Sequence, residues 1–312
     1  MQNVAITGVS GYLGTQLLKR INREPEVKRI IGLDVKEPSF TSPKFTFIKH
    51  DVRQPMDGIF RDNKIDTALH LAFIVLPIHD AVKSEAINIG GSKNFLAACA
   101  AAGVKQAYYM GSNTEYGAHK DNPPLFTEET PLHPNADYPY ACDKARVDRL
   151  FQDFAQKHKD VCVTIGRTAP VTGPCGDACG LTALFLPVMV RAVGKNPLWQ
   201  FIHEDDLVEL TVLLLKKKKA GIYNLTGDGA LPYRDMIKKL GRPSISLPAW
   251  LLHLGIQLSW GLHLQKRSQA GGIMMLQYPI VLDNTKVKKA TGYQLRYTGP
   301  AAFDEFLRSI KK

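Results

Sequence analysis

Short apolar runs rich in β-branched residues recur through the first two thirds of the chain, separated by longer stretches whose apolar positions repeat every three to four residues. The short runs fit strands buried on both faces, and the longer stretches fit amphipathic helices. Strands are predicted at 4–7 (VAIT), 30–34 (IIGLD), 45–48 (FTFI), 67–72 (TALHLA), 106–112 (QAYYMGS) and 161–166 (VCVTIG). Helices are predicted over 11–23, 81–102 and 137–158, the second closed by Gly103 just past its end. In the third helix the pattern turns Asp143 and Asp148 outward. This alternation predicts a parallel sheet with helices on both faces, a doubly wound, Rossmann-type α/β fold.

After Pro174 the pattern loosens. LTALFLPVMV (181–190) reads as a helix, GIYNLT (221–226) as a strand, and LPAWLLHLGIQLSWGLHL (247–264) as an apolar helix. That last run falls short of the ~20 residues needed to span a bilayer and is interrupted by His253, Gln257 and His263. A helix covering a pocket or a subunit contact fits better, with a peripheral membrane contact as the alternative. The expected organisation is a Rossmann domain over 1–174 and a smaller, mainly substrate-binding lobe over 175–312, with 200–226 returning to the Rossmann core.

The composition, 45% hydrophobic and 22% charged over 312 residues, excludes a disordered chain or a membrane bundle. Met1 leads within one residue into a strand, without a charged leader, which points to the cytoplasm. Five cysteines without a CxxC pair argue against disulfides, and Cys175 and Cys179 lack a matching ligand pair, so no metal is expected. The net charge of +11 is dispersed except at Lys216 to Lys219, which follows LTVLLL like the solvated end of a helix. Without an aromatic and basic stripe, nucleic acid is not an expected partner.

TGVSGYLG (7–14) places Gly8, Gly11 and Gly14 directly after the first strand and at the mouth of a helix. Glycine there permits a tight turn and close approach of backbone to a pyrophosphate, whose charge the helix N-terminus stabilises. Tyr12 and Leu13 belong to the same turn. Asp34, twenty residues after Gly14 at the end of the second strand, is placed to accept from a free ribose 2′-hydroxyl and repel a 2′-phosphate. NAD is therefore favoured over NADP, with Lys36 nearby the one feature that would suit NADP.

A Tyr four residues before a Lys on a helix puts both side chains on one face, where the ammonium stabilises the phenolate and lowers its pKa toward neutrality. Two such pairs occur, Tyr116 with Lys120 and Tyr140 with Lys144. The first lies in a Gly- and Pro-rich stretch, the second opens an amphipathic helix, and the second is preferred.

These motifs resemble the extended short-chain dehydrogenase/reductases, the NAD-dependent epimerase/dehydratase family, over nearly the whole chain. TGVSGYLG, HLAF (70–73), the stretch 88–117, YACDK (140–144), GRTAPVTGP (166–174), QFIHEDDL (200–207) and VLDNTKVKKATGY (281–293) carry the likeness. The resemblance implies that Ser112 hydrogen-bonds the reacting oxygen, Tyr140 is the acid/base, and Lys144 holds the nicotinamide ribose while tuning Tyr140. It further implies cofactor contacts at Asp51, Val52, Leu71, Ala72, Phe73, Thr168 and Val171, with Asn88 secondary, and a homodimer through helices 81–102 and 137–158. His70, His203 and Asp205 read as structural or pocket-lining groups.

The chain also departs from that family. The dehydratases' acidic pair after the catalytic hydroxyl residue is here Asn113 and Thr114, which cannot donate a proton as a carboxylic acid does. Trp199 and Gln200 stand where nucleotide-sugar members commonly carry an Arg, a second family Arg has no clear match around Ile273 to Pro279, and Pro170 replaces the usual Asn. Two phosphates would lack their best partners. The surroundings are apolar instead, at 181–190, 247–264 and 273–276, and resemble the hydroxysteroid-dehydrogenase-like members. Asn113, Thr114 and Trp199 are the candidate substrate contacts. The expected activity is NAD-dependent hydride transfer at a secondary alcohol or ketone of an apolar small molecule. The alternatives are nucleotide-sugar epimerisation with retained NAD and a non-catalytic NAD sensor.

Overall fold

The computed structural model describes residues 1–174, 181–265 and 270–310. Seven parallel strands form one sheet: β1 (Asn3–Thr7), β2 (Arg29–Asp34), β3 (Phe45–Lys49), β4 (Thr67–His70), β5 (Gln106–Ser112), β6 (Cys162–Thr168) and β7 (Gly221–Leu225), in the order β7-β6-β5-β4-β1-β2-β3. The strand order reverses between β1 and β4, so the crevice at the carboxyl ends of these two strands is the switch point where doubly wound sheets take ligands.

Helices cover both faces. On one side α1 (Tyr12–Asn22) and α6 (Glu204–Lys216) close over Val4, Ile6, Leu69 and Tyr108; on the other α2 (Asp57–Asp62), α4 (Gly91–Ala102) and α5 (Pro139–Lys157) close over Ala5, Ala68, Ala107 and Tyr109. β1 and β5 are buried along almost their whole lengths, the physical reason their sequences show no polar alternation. A third core, with Phe201, Tyr233, Met236, Phe303 and Phe306, packs α7 (Tyr233–Leu240) against α10 (Gly299–Ile310). The remaining helices are α3 (Ala81–Glu85), α8 (Ala249–Gly261) and α9 (Thr285–Thr291).

Three local readings differ from the sequence pattern. The expected helix at 181–190 is a single 3-10 turn, Thr182–Phe185, followed by a strand, Met189–Ala192, paired with Ser244–Leu247. Pro187 lies between them, where a continuing helix would lose a hydrogen bond and clash. The expected helix at 81–102 contains a π-turn, Ala86–Gly90, between α3 and α4. Asp143 and Asp148 are buried, because each has a partner from another element: Asn88 for Asp143 and Arg167 on β6 for Asp148. Among the described residues no helix is long and apolar enough to cross a membrane. Cys175 and Cys179 lie outside the described residues.

Candidate active site

Backbone contact dictates the glycine turn. Gly8 has φ +70°, and a Cβ there would lie 2.6 Å from the Ala72 nitrogen; one on Gly14 would lie 2.1 Å from the Gly8 carbonyl oxygen. Both glycines let the turn, the end of β4 and the start of α1 close on each other. The first turn of α1 has no side-chain cap and no acidic residue, leaving its N–H groups and positive end for an anion. Tyr12 donates its phenol to Glu204 on α6, and Leu13 packs on the core.

Asp34 closes β2 beside this turn, accepting from the Ser10 nitrogen at 3.1 Å and the Lys36 nitrogen at 3.2 Å. Its carboxylate is thus oriented at the place where the turn would meet a ribose. Asp51 pairs with Arg53 in a two-pronged contact at 2.5 to 3.0 Å, and that guanidinium holds its carboxyl below the usual range. Val52 is buried beside it. The uncapped helix start, the cradle that two Cβ atoms would fill, and the Asp34 carboxylate together fit a dinucleotide.

The turn connects directly to the candidate catalytic groups. Leu71 and Ala72 leave β4 against Gly8, and Phe73 follows, its ring edge-on to Tyr140 at 5.8 Å and 3.9 Å from the Lys144 ammonium. Asn88, in the π-turn, holds this loop by accepting from the Ile74 nitrogen at 2.9 Å while donating to Asp143 at 3.0 Å. Pro139 opens α5 at a position that needs no N–H, which sets Tyr140 and Lys144 on its first turns. At the end of β5 the Ser112 hydroxyl lies 2.9 Å from the Thr114 hydroxyl and faces the Tyr140 phenol closely enough to oppose the rise in its pKa.

The electrostatics differ from the expected ammonium-assisted phenolate. Lys144 donates to the Met110 carbonyl at 2.7 Å, and its ammonium is 6.0 Å from the Tyr140 ring centre. Burial raises the Tyr140 phenol above its ordinary value, with the Ser112 hydrogen bond opposing that rise. Burial also brings Lys144 down to about 8, with buried Glu115 opposing. The other pair is not comparable: Tyr116 is buried, donating to Asn224 at 2.8 Å and accepting from Arg167 at 3.0 Å, while Lys120 is exposed.

A charged cluster under Ser112 escaped the sequence reading. Glu115 accepts from the Ser112 nitrogen at 2.7 Å and completes a capping box with it. Arg167 sits 3.7 Å from Glu115 and bonds Asp148 at 2.9 and 3.1 Å, all three side chains fully enclosed. Desolvation and the Asp148 charge push the Glu115 carboxyl up. The S-x-x-E spacing of a capping box was the signal available for Glu115.

On the substrate side, Asn113, Pro170, Trp199, Met275 and Tyr278 line one narrow cleft beside Ser112. Thr114 is buried next to it. Gln200 is a clamp, trading hydrogen bonds with both backbone groups of Leu282. The indole N–H of Trp199 is buried without a partner, as is Nε of Arg191, whose charge acts on the Tyr233 ring stacked on Trp199. Thr168 and Val171 are buried at the far end of β6. His70 bridges Thr7 and Ser92 at 2.8 and 2.9 Å, and His203 caps α6 through the Asp205 nitrogen, which places them as internal braces. A wider depression outside β7, lined by Gln152, Lys159 and Ile222, contains none of these groups.

A switch-point crevice, a glycine turn at a helix start and a strand-end carboxylate define a dinucleotide-binding protein of the doubly wound class. A family model described as the NAD dependent epimerase/dehydratase family matches residues 4–226, and the chain belongs to that family. It is 25% identical over 316 residues, 98% of this chain and 83% of the relative, to an uncharacterized protein of Mycobacterium bovis. It is 24% identical to the dTDP-glucose 4,6-dehydratase of Haemophilus influenzae over 77% of this chain and 79% of that one. Among solved structures, the UDP-glucuronic acid 4-epimerase of Bacillus cereus in complex with NAD superposes with TM-score 0.76 at 17% identity, covering 99% of both chains. The dTDP-glucose 4,6-dehydratase of Bacillus anthracis in complex with NAD gives 0.74 at 16% identity over 100% of this chain and 97% of that one.

Proposed function

We propose that this protein is an NAD-dependent oxidoreductase acting on a secondary alcohol or ketone of a largely apolar small molecule. The observation that carries the reading is the contact of Tyr140 with Ser112, joined through Phe73 and Ala72 to the glycine turn. When bound, the cofactor would supply hydride exchange, as NAD+ in oxidation of an alcohol and as NADH in reduction of a ketone. Gly8, Gly11 and Gly14 with the backbone of Tyr12 and Leu13 would hold its pyrophosphate, and Asp34 would accept from its adenosine ribose; Asp51, Val52, Leu71, Ala72, Thr168 and Val171 are the residues that would line its remaining path.

In this reading Ser112 donates to the substrate oxygen and fixes its position. Tyr140 takes the hydroxyl proton in oxidation and returns it in reduction. Burial favours the neutral phenol at rest. Lys144, on the same helix as Tyr140 and a buried ammonium held at the Met110 carbonyl, would hold the nicotinamide ribose. Elimination chemistry finds no support, since the one carboxyl in the turn after Ser112, Glu115, is turned inward to the Ser112 nitrogen and Arg167.

Trp199, Met275 and Tyr278 favour an apolar substrate. A second reading, nucleotide-sugar epimerisation, draws on the unpartnered Arg191 and Trp199 donors, which would suit a polar acceptor. Purified protein given candidate ketones and UDP-sugars separates the two: net change in reduced-nicotinamide absorbance supports the oxidoreductase, and sugar inversion without it overturns that reading. A homodimer through 81–102 and 137–158 belongs to the same proposal. Light scattering that finds a monomer at all working concentrations would remove it.

A further inference from the structure

Seven of the fifteen exposed large apolar side chains among the described residues lie between Ile245 and Leu264. Single exposed apolar residues are ordinary, but this concentration is not. Trp250, Leu254, Leu258 and Leu262 follow at four-residue spacing and form one stripe along α8, with Trp250 68% and Leu262 67% exposed.

The opposite side of the helix is pinned. Leu252 and Ile256 join a small core with Ile273, His253 meets Asp137 at 2.7 Å, and Trp260 stacks on His79 at 3.9 Å. The stripe is therefore held outward. His79 also stacks on His263 at 4.0 Å and belongs to the segment after β4 in which Val75, Leu76 and Val82 are exposed. The two apolar exposures are thus joined, and the segment that joins them begins at Phe73, against Tyr140.

Charge selects the occupant. Residues 236–282 contain no Asp or Glu but include Lys238, Lys239, Arg242, Lys266 and Arg267. The carboxylates that touch this region are occupied, Asp137 by His253, Asp304 by Lys239 at 2.7 Å, and Asp80 by capping the Lys83 nitrogen. We infer that α8 and the segment after β4 form a docking face for an anionic lipid surface. The helix lies in the interface and does not cross it, since its 13 residues reach only ~20 Å. Leucines and Trp250 enter the headgroup boundary, and the cationic excess of the segment favours anionic over neutral lipid. A second copy suits this face less well, because a two-fold contact sets a patch against itself and would oppose like charges.

The full chain, spun with vesicles of phosphatidylcholine alone or mixed with phosphatidylserine, tests the inference without reference to the reaction. Expected are binding to the anionic vesicles that weakens with salt, a blue shift of tryptophan emission, and at least ~10-fold weaker binding by L254S/L258S/L262S at an unchanged thermal midpoint. No binding to anionic vesicles overturns the inference, as does unchanged binding by the triple variant. A dimer that the triple variant dissolves, in a protein that ignores vesicles, assigns the face to a second copy and also overturns it. Should the triple variant fail to fold, quenching of native emission by brominated lipids decides, provided W250S loses it; absence of quenching, or quenching that W250S retains, is the negative result.

Discussion

At the glycine turn each residue is dictated by backbone atoms a fixed distance away, whereas across the cleft the substrate side is assembled from side chains contributed by distant segments. A methyl group on Gly14 would sit 2.1 Å from a carbonyl oxygen. Beyond Ser112, by contrast, Pro170, Trp199 and Met275 come from separate segments, and donors of Trp199 and Arg191 are left without partners. One end is closed by sterics and tolerates little variation; the other is left open for a ligand to complete. This explains why cofactor class is readable at low identity while substrate is not.

The contrast can be broken most severely at the turn. Gly14→Ala is expected to destabilise the fold by at least ~3 kcal/mol and to abolish NAD binding, whereas Leu198→Ser on the exposed substrate side stays within ~0.5 kcal/mol. Chemical denaturation checks both, and equal effects would erase the distinction. Next in size is the enclosed cluster: Arg167→Met strands Asp148 and is expected to cost ~3–5 kcal/mol, part of it recovered in Arg167→Met with Asp148→Leu. Full stability in the single variant would show that the pair is not what supports Ser112.

Burial holds His70 down to about 3 from its ordinary 6.5. The unfolded chain takes up this proton near 6.5 and the native state only near 3, so the unfolded state binds more protons between those values and stability falls as pH falls through that window. Denaturation midpoints that fall less steeply with acid in His70→Gln than in the parent are the expected result; parallel curves would assign the sensitivity elsewhere. The smallest effect is at Asp34, where Asp34→Ala should narrow the NAD over NADP preference by ~10-fold without changing stability, as fluorescence titration of the two cofactors would show.

Much of the Rossmann half was legible because its strands are buried on both faces and its turn requires glycine. The choice of Tyr140 over Tyr116 followed from helical periodicity and from the Gly- and Pro-rich stretch around Tyr116, which lies in the interior with its hydroxyl shared by Arg167 and Asn224. Periodicity could not see partners on other elements, so Asp143 and Asp148 read as outward although Asn88 and Arg167 draw them inside. Nor could it see that burial raises the Tyr140 phenol, or that Lys144 turns to the Met110 carbonyl. The apolar run at 247–264 predicted a helix, but its outward-facing stripe depends on what Leu252 and His253 pack against.

The measurement that bears most directly on the account compares Tyr140→Phe with Tyr116→Phe in NAD affinity, thermal midpoint and turnover of the best ketone or alcohol found. Tyr140→Phe is expected to keep NAD affinity and midpoint but lose at least ~100-fold in turnover, while Tyr116→Phe loses stability and keeps its turnover. Loss of turnover in Tyr116→Phe with an active Tyr140→Phe would contradict it.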